Sequence, residues 1–313
     1  MALAKTSQKF NSSISAFTIG TGDKTVTLGG ENVLPFYSFD APIENAPKIG
    51  VEISDLGMEN NVPGIRDYYA GCGNFTELAA KASEIPGIDF IAFSLDAADP
   101  NGLDRSVEEC VEECRQVAEG TDLPLVIIGC KGLEKNEALF DKVAGALTGR
   151  NVLLMSAKEE NYKTIAASAG LAYGQKIGAE SAVDINLAKQ LNVVISQMGI
   201  KPANIAMNVG SAAAGYGFEY VVSTMERVKM AALGQNDNML QMPIVTPVAS
   251  ESWNVKESLV SEDDIPEWGP MEERGIDMEI VTAAACLASG SNAVILRHPA
   301  SIAAISEMIH ALV

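Results

Sequence analysis

The run NIAMNVGSAAAGYGFEYVVSTMERVKMAALG (204–234) holds one complete structural unit. Its first seven residues (204–210) are mostly apolar and short enough for a strand covered on both faces. Small residues and glycines follow. Then FEYVVSTMERVKMAALG (218–234) brings apolar side chains back at three- and four-residue spacing and ends on Gly234, the pattern of an amphipathic helix. Strand, tight turn and helix make a βα unit. The fold depends on how often the chain repeats it.

It repeats along nearly the whole sequence. Apolar strand runs lie at KIGVEIS (48–54), FIAFSLD (90–96), PLVIIG (124–129), NVLLMSA (151–157), KIGAESA (176–182), NIAMNVG (204–210), MPIVTPV (242–248) and AVILRHP (293–299). Helical patterns fall between them at 75–85, 105–120, 136–148, 161–174, 184–199, 218–234 and 278–290, and ASIAAISEMIHALV ends the chain. Eight units in strict alternation predict an α/β fold of the closed (β/α)8 type, a TIM barrel, rather than an open doubly wound sheet. No GxGxxG follows the first strand, which further weakens a dinucleotide-binding sheet.

Ahead of the barrel, ISAFTIGTGDKTVTLGG alternates apolar and polar residues around Thr21-Gly22-Asp23. This reads as a β-hairpin suited to plugging the barrel's N-terminal end. The organisation expected is a hairpin and irregular arm over 1–46, a barrel over 47–313, and a long insertion at 249–273 after strand seven, all in one domain. That insertion lies within VTPVASESWNVKESLVSEDDIPEWGPMEERG (245–275), which holds both tryptophans, Trp253 and Trp268, and looks irregular. An irregular segment of that length in a compact domain covers or binds something, or packs on itself as an Ω-loop.

The net charge of -19 argues against nucleic acid or an anionic membrane as partner. No apolar run reaches membrane-spanning length, and MALAKTSQKFNSS lacks a signal-peptide core, so a cytoplasmic protein is expected. The five cysteines are scattered without a CxxC, so this chain offers no four-cysteine iron–sulfur site. Cys110 and Cys114 share a helical stripe with Val107, Val111, Val117 and Ala118 and read as small core residues.

Ligands of such barrels bind at the C-terminal ends of the strands. That rim carries Ser54 and Asp55, Asp96 and Asp99, Cys130 and Lys131, Ser156 and Lys158, Glu180 and Ser181, then Asn208, Gly210 and Ser211, then Thr246 and Pro247, and finally Arg297 and His298. It is thin in proton-transfer groups. His298 precedes Pro299 and reads as a helix-entry residue, and His310 lies in the last helix. Lys131 and Lys158 sit past strand ends and read as surface ion-pair partners rather than Schiff-base lysines. The glycine turn at 208–218 suits close approach of a large flat ligand, or simply a tight βα turn.

Taken together, SISAFTIGTGDKTVTLGG, PKIGVEISD, MNVGSAAAGYGFEY and MPIVTPVASESW resemble the small subunit of the corrinoid iron–sulfur protein, related to the delta subunit of the archaeal acetyl-CoA decarbonylase/synthase complex. The likeness covers essentially the whole chain. It implies a barrel paired with a large subunit in a heterodimer. That partner carries a [4Fe-4S] cluster, and a corrinoid (cobamide) cofactor lies between the two chains. It also implies methyl transfer from a methyltetrahydrofolate (pterin) methyltransferase, through the carrier, to acetyl-CoA synthase. Rim position then nominates Ser54, Asp55, Asn208, Gly210, Ser211, Pro247, Ser250, Trp253 and Asn254 as cofactor-binding residues, with no catalytic residue and no metal ligand. The competing reading is a free-standing pterin-dependent methyltransferase barrel using Asp55, Asp96 and Asn208. A third, an aldolase-like barrel, needs a reactive lysine.

Overall fold

The computed structural model describes residues 7–58 and 62–313. The first six residues of the expected 1–46 arm lie outside the described residues. Two strands, β1 (Phe17–Thr21) and β2 (Lys24–Leu28), form an antiparallel hairpin with Phe17 opposite Leu28 and Thr21 opposite Lys24. Gly22, at φ 61°, makes the tight turn that lets the two strands pair.

Eight parallel strands follow: β3 (Lys48–Ser54), β4 (Phe90–Ser94), β5 (Leu125–Ile128), β6 (Leu153–Ala157), β7 (Lys176–Glu180), β8 (Ile205–Asn208), β9 (Val245–Pro247) and β10 (Ala293–Leu296). They are bonded in the order β8-β7-β6-β5-β4-β3-β10-β9. A bridge between Met207 and Ile244, with the Met207 N–H donating to Pro243 O at 2.8 Å, joins the two ends of that order. The sheet is a closed barrel, as the repeated βα pattern predicts.

The helices are α1 (Pro63–Tyr68), α2 (Phe75–Ala82), α3 (Val107–Gly120), α4 (Leu133–Ala146), α5 (Tyr162–Ile165), α6 (Ile185–Gln197), α7 (Phe218–Gly234), α8 (Ala249–Ser252), α9 (Lys256–Leu259), α10 (Met271–Ser289) and α11 (Pro299–Leu312). A π-helical turn, Ala166–Ala172, continues α5. The capping residues explain several starts. Asn74, Ser106 and Asp184 each accept a backbone N–H from the first turn, and Ser106 with Glu109 completes a capping box. Cys110, Val111, Cys114 and Val117 are buried along α3, as their spacing predicts. Among the described residues, no helix is long and apolar enough to cross a membrane.

Two apolar layers hold the molecule together. The larger lies between strands and helices: Val51 and Ile53 of β3, Ile91 and Phe93 of β4, and Leu125 and Ile127 of β5 face helix residues such as Cys114, Leu139 and Phe140. The smaller fills the barrel: Phe90, Ala92, Val126, Leu153, Met155, Ala206, Val245, Ala293 and Ile295 meet Phe17, Ile19, Val26 and Leu28 of the hairpin. The hairpin is therefore the floor of the barrel. Asn151 fastens it, donating its side-chain amide to Thr18 O and Gly20 O at 3.0 Å each. Gly50 is required beneath Phe90, because a Cβ there would lie 2.2 Å from the Phe90 ring.

Phe17 is fully buried at the centre of this floor. Phe17→Ala is expected to cost about 3–5 kcal/mol, the usual range for an excavated core phenylalanine. Urea unfolding of wild type and variant checks this.

Candidate functional site: the C-terminal mouth of the barrel

Side chains alternate along a strand, so the burial partners decide which ones look inward. In β3, Val51 and Ile53 face the helices, which turns Gly50, Glu52 and Ser54 into the barrel. The same alternation carries Ser94 of β4, Glu180 of β7, Asn208 of β8, Pro247 of β9 and Arg297 after β10 to the mouth. The interior is thus apolar at the floor and middle and polar at the top.

Within the polar layer the groups are paired. Arg297 donates to Glu52 Oε1 through Nε at 3.1 Å and also through Nη2. Glu52 is only 2% exposed. The Arg297 backbone is held as well. Glu279 of α10, wholly buried, accepts the Arg297 N–H at 2.7 Å and the His298 N–H at 3.1 Å. Burial pushes the Glu279 carboxyl above its ordinary range, and these donors oppose that rise.

Across the mouth, Asn208 Nδ2 donates to Ser156 Oγ at 3.2 Å and lies 3.5 Å from Glu180 Oε2. Lys158 closes that group with a 2.9 Å ion pair to Glu180. Ser54 donates to Asp96 Oδ2 at 3.0 Å. The carboxylates reaching the mouth from the strand ends are therefore paired with a cation or accept a hydroxyl proton.

The nominated residues separate into three groups. Ser54, Asn208 and Pro247 stand on the mouth. Gly210 and Ser211 belong to the loop after β8, Ser250 to α8, and Asn254 to the turn that follows α8. Gly210 has φ +92° and lies against Val183, so a side chain there would be strained. Ser211 Oγ is buried without a hydrogen-bond partner. Ser250 donates to Pro247 O at 3.3 Å, and Asn254 donates to Ser250 O.

Asp55 and Trp253 lie elsewhere, which corrects their nomination as rim contacts. Asp55 follows Ser54, so its side chain takes the opposite direction. It is buried towards α3, with Oδ1 accepting the Ala97 N–H at 2.8 Å. Burial raises its carboxyl to about 7, against the Ala97 bond. Trp253 is 4% exposed and packs into the core. Its ring stacks on His298 at 5.9 Å and lies on Gly275, where a Cβ would come within 2.1 Å.

The expected irregular insertion also takes form. It contains α8, α9 and a 3₁₀ turn (Pro266–Trp268), and α10 starts at Met271, well before the helix anticipated from 278. Arg274 clamps this insertion. Its guanidinium donates to the carbonyls of Glu257, at 2.8 Å, and of Val260 and Gly269. Tyr216 ties the insertion to the glycine turn by donating to Glu257 Oε2 at 2.7 Å. Glu52, Ser94, Glu279 and Arg274 also shape the candidate site, and rim position did not nominate them. Glu52 had a signal, since a carboxylate inside an otherwise apolar strand requires an interior partner.

A family model described as the CO dehydrogenase/acetyl-CoA synthase delta subunit matches residues 16–302. The chain belongs to this delta-subunit family. Among curated relatives, the acetyl-CoA decarbonylase/synthase complex subunit delta of Archaeoglobus fulgidus is 31% identical over 300 residues, covering 94% of this chain and 65% of that protein. Subunit delta 2 of Methanosarcina acetivorans is 31% identical over 301 residues, covering 94% and 67%. This delta-family chain therefore spans about two thirds of the length of those relatives. Among solved structures, 7,8-dihydropteroate synthase from Vibrio fischeri shares the fold, with TM-score 0.57 and 8% identity over 95% of this chain and 98% of that one.

His298 provides a pH test of the mouth's support. Its Nδ1 accepts the Ala300 N–H at 3.0 Å, capping α11, so Nε2 carries the proton and donates to Glu272 Oε1 at 3.1 Å. Burial holds its pKa below the ordinary value, with Glu272 pulling the other way. The folded state then binds fewer protons than the unfolded one, so stability falls as pH drops below the ordinary histidine range. His298→Asn keeps a capping acceptor and cannot be protonated. Its unfolding free energy is expected to decline less steeply from pH 7 to 5, as measured by denaturant melts. Arg274→Ala is expected to speed proteolytic cutting between 256 and 270 by tenfold or so, a loss of about 1.4 kcal/mol of local stability, while the global melt moves less.

Proposed function

We propose that this chain is the non-catalytic small subunit of a heterodimeric corrinoid iron–sulfur methyl carrier. In this reading the barrel mouth covers a corrinoid held jointly with a large subunit, which alone bears the [4Fe-4S] cluster. The carrier takes its methyl group from a methyl-pterin methyltransferase and yields it to acetyl-CoA synthase. The delta-family membership supports this setting, because the named relatives are subunits of an acetyl-CoA decarbonylase/synthase complex.

The observation that carries the reading is the chemistry of the mouth. Its hydroxyl and amide groups sit above an apolar floor, and its carboxylates at Glu52, Asp96 and Glu180 are all engaged. Such a surface suits a broad ligand edged with amides. The partnerless Ser211 hydroxyl fits as a further donor. Ser54, Ser94, Ser156, Asn208, Ser211 and Ser250 are the residues that would hold the cofactor's amide side chains. The bound cobalt would supply the methyl-transfer reactivity. The protein's part is to bind, orient and exclude water. Neither histidine is among the residues that would hold the group: His298 is enclosed with both ring nitrogens engaged, and His310 lies near the end of α11.

The free-standing methyltransferase reading requires Asp55, Asp96 and Asn208 to converge on one pterin ring. Asp55 is turned behind the rim, which counts against it.

Anoxic expression of this chain alone and with a large-subunit partner tests the proposal. The expected result is a colourless single chain and a pair carrying both cobalt and iron. A single chain that methylates free corrinoid from a methyl-pterin sinks it. Within the pair, Asn208→Ala is expected to weaken corrinoid retention by about fivefold, the value of one hydrogen bond near 1 kcal/mol, while subunit pairing is unchanged. Equilibrium dialysis of the corrinoid measures this.

A further inference from the structure

Behind the mouth, on the far side of β3, three metal-ligating side chains converge. Asp55 comes from the turn after β3, and Cys110 and Glu113 come from one face of α3, three residues apart. A carboxylate oxygen of each acid and the Cys110 sulfur all lie within 4.8 Å of one another. The Asp55 side chain is 0% exposed and the Glu113 side chain 14%. Each carboxylate has one oxygen engaged: Asp55 Oδ1 takes the Ala97 N–H, and Glu113 Oε1 takes Arg105 Nη1 at 2.7 Å. The other two oxygens, Asp55 Oδ2 and Glu113 Oε2, are buried without a hydrogen-bond partner. Buried carboxylate oxygens are costly to leave unmatched, and two of them beside one thiol form an incomplete coordination set.

We propose that Asp55, Cys110 and Glu113 bind a zinc ion that fastens α3 to the turn that follows the mouth residue Ser54 at the end of β3. The charge count favours a divalent ion. With the thiol ionised, the three ligands carry three negative charges. Arg105, 4.0 Å from Asp55 Oδ2, returns one positive charge. A dication leaves the cluster neutral. A mixed thiolate–carboxylate set suits zinc rather than magnesium or calcium, which prefer all-oxygen shells. The partly exposed edge at Glu113 and Arg105 offers an entry path and a solvent position to complete four ligands.

The site is separate from the barrel mouth and does not depend on the methyl-carrier reading.

The test uses the full chain, stripped with a chelator and titrated with zinc and then with cobalt(II) as spectroscopic probe. The expected result is one equivalent of zinc retained through gel filtration and a higher melting temperature. Bound cobalt(II) should show a thiolate-to-cobalt charge-transfer band. Cys110→Ser should remove that band. Glu113→Gln, which keeps an oxygen for Arg105, should weaken zinc binding at least tenfold. A wild-type chain that retains no zinc overturns the proposal. So does a cobalt complex without the band, a band that survives in Cys110→Ser, or unchanged affinity in a folded Glu113→Gln. If Cys110→Ser does not fold, the Glu113→Gln affinity and the wild-type band decide.

Discussion

An arginine and a glutamate face each other across the seam where the last barrel strand meets the first. Glu52 is enclosed on every side, and a lone carboxylate there would be several kcal/mol too costly to keep. Arg297 makes it tolerable, and Glu279 fixes Arg297 by gripping the backbone at the end of β10. The pair marks the level at which the barrel changes character. Below it the interior is packed with apolar side chains down to the hairpin. Above it every inward position from β3, β4, β7 and β8 is hydroxyl, carboxylate or amide. The opening can hold polar ligand groups because the charges beneath it are already matched.

The loops over the opening extend the same economy. Tyr216, Glu257 and Arg274 knit the glycine turn and the insertion together through side-chain contacts to backbone and to each other. Trp253 serves the wall instead of the surface, wedged between His298 and the bare backbone of Gly275. Support is therefore layered: rim residues meet the ligand space, while α10 and its partners hold the rim still. This division suits a protein whose proposed task is to cover a reactive cofactor rather than to move protons.

Much of this was legible in the residues. The eight strands and their helices follow from apolar runs and 3.6-residue spacing, and the hairpin follows from alternation around Gly22. His298 was legible as a helix entry because Pro299 follows it. What stayed hidden depends on distance in the chain. Glu52 finds its partner 245 residues away, and no local pattern announces that. Asp55 was nominated for its place after a strand, yet one residue's step reverses a side chain, and so it points to α3 and not to the mouth. Trp253 looked like a contact residue because it stood in a long stretch that looked irregular. Gly275, near the start of α10, is what makes room for it in the core. The short helices α8 and α9 are single turns, too brief for any periodicity to show.

The hairpin floor has a consequence for traffic. With Phe17 and its neighbours filling one end, the barrel is a cup with a single opening and no passage through it. Any large visitor must arrive and depart by the same side. Under the methyl-carrier proposal, a donor protein and an acceptor protein could not both occupy that opening, and simple exclusion would make them take turns.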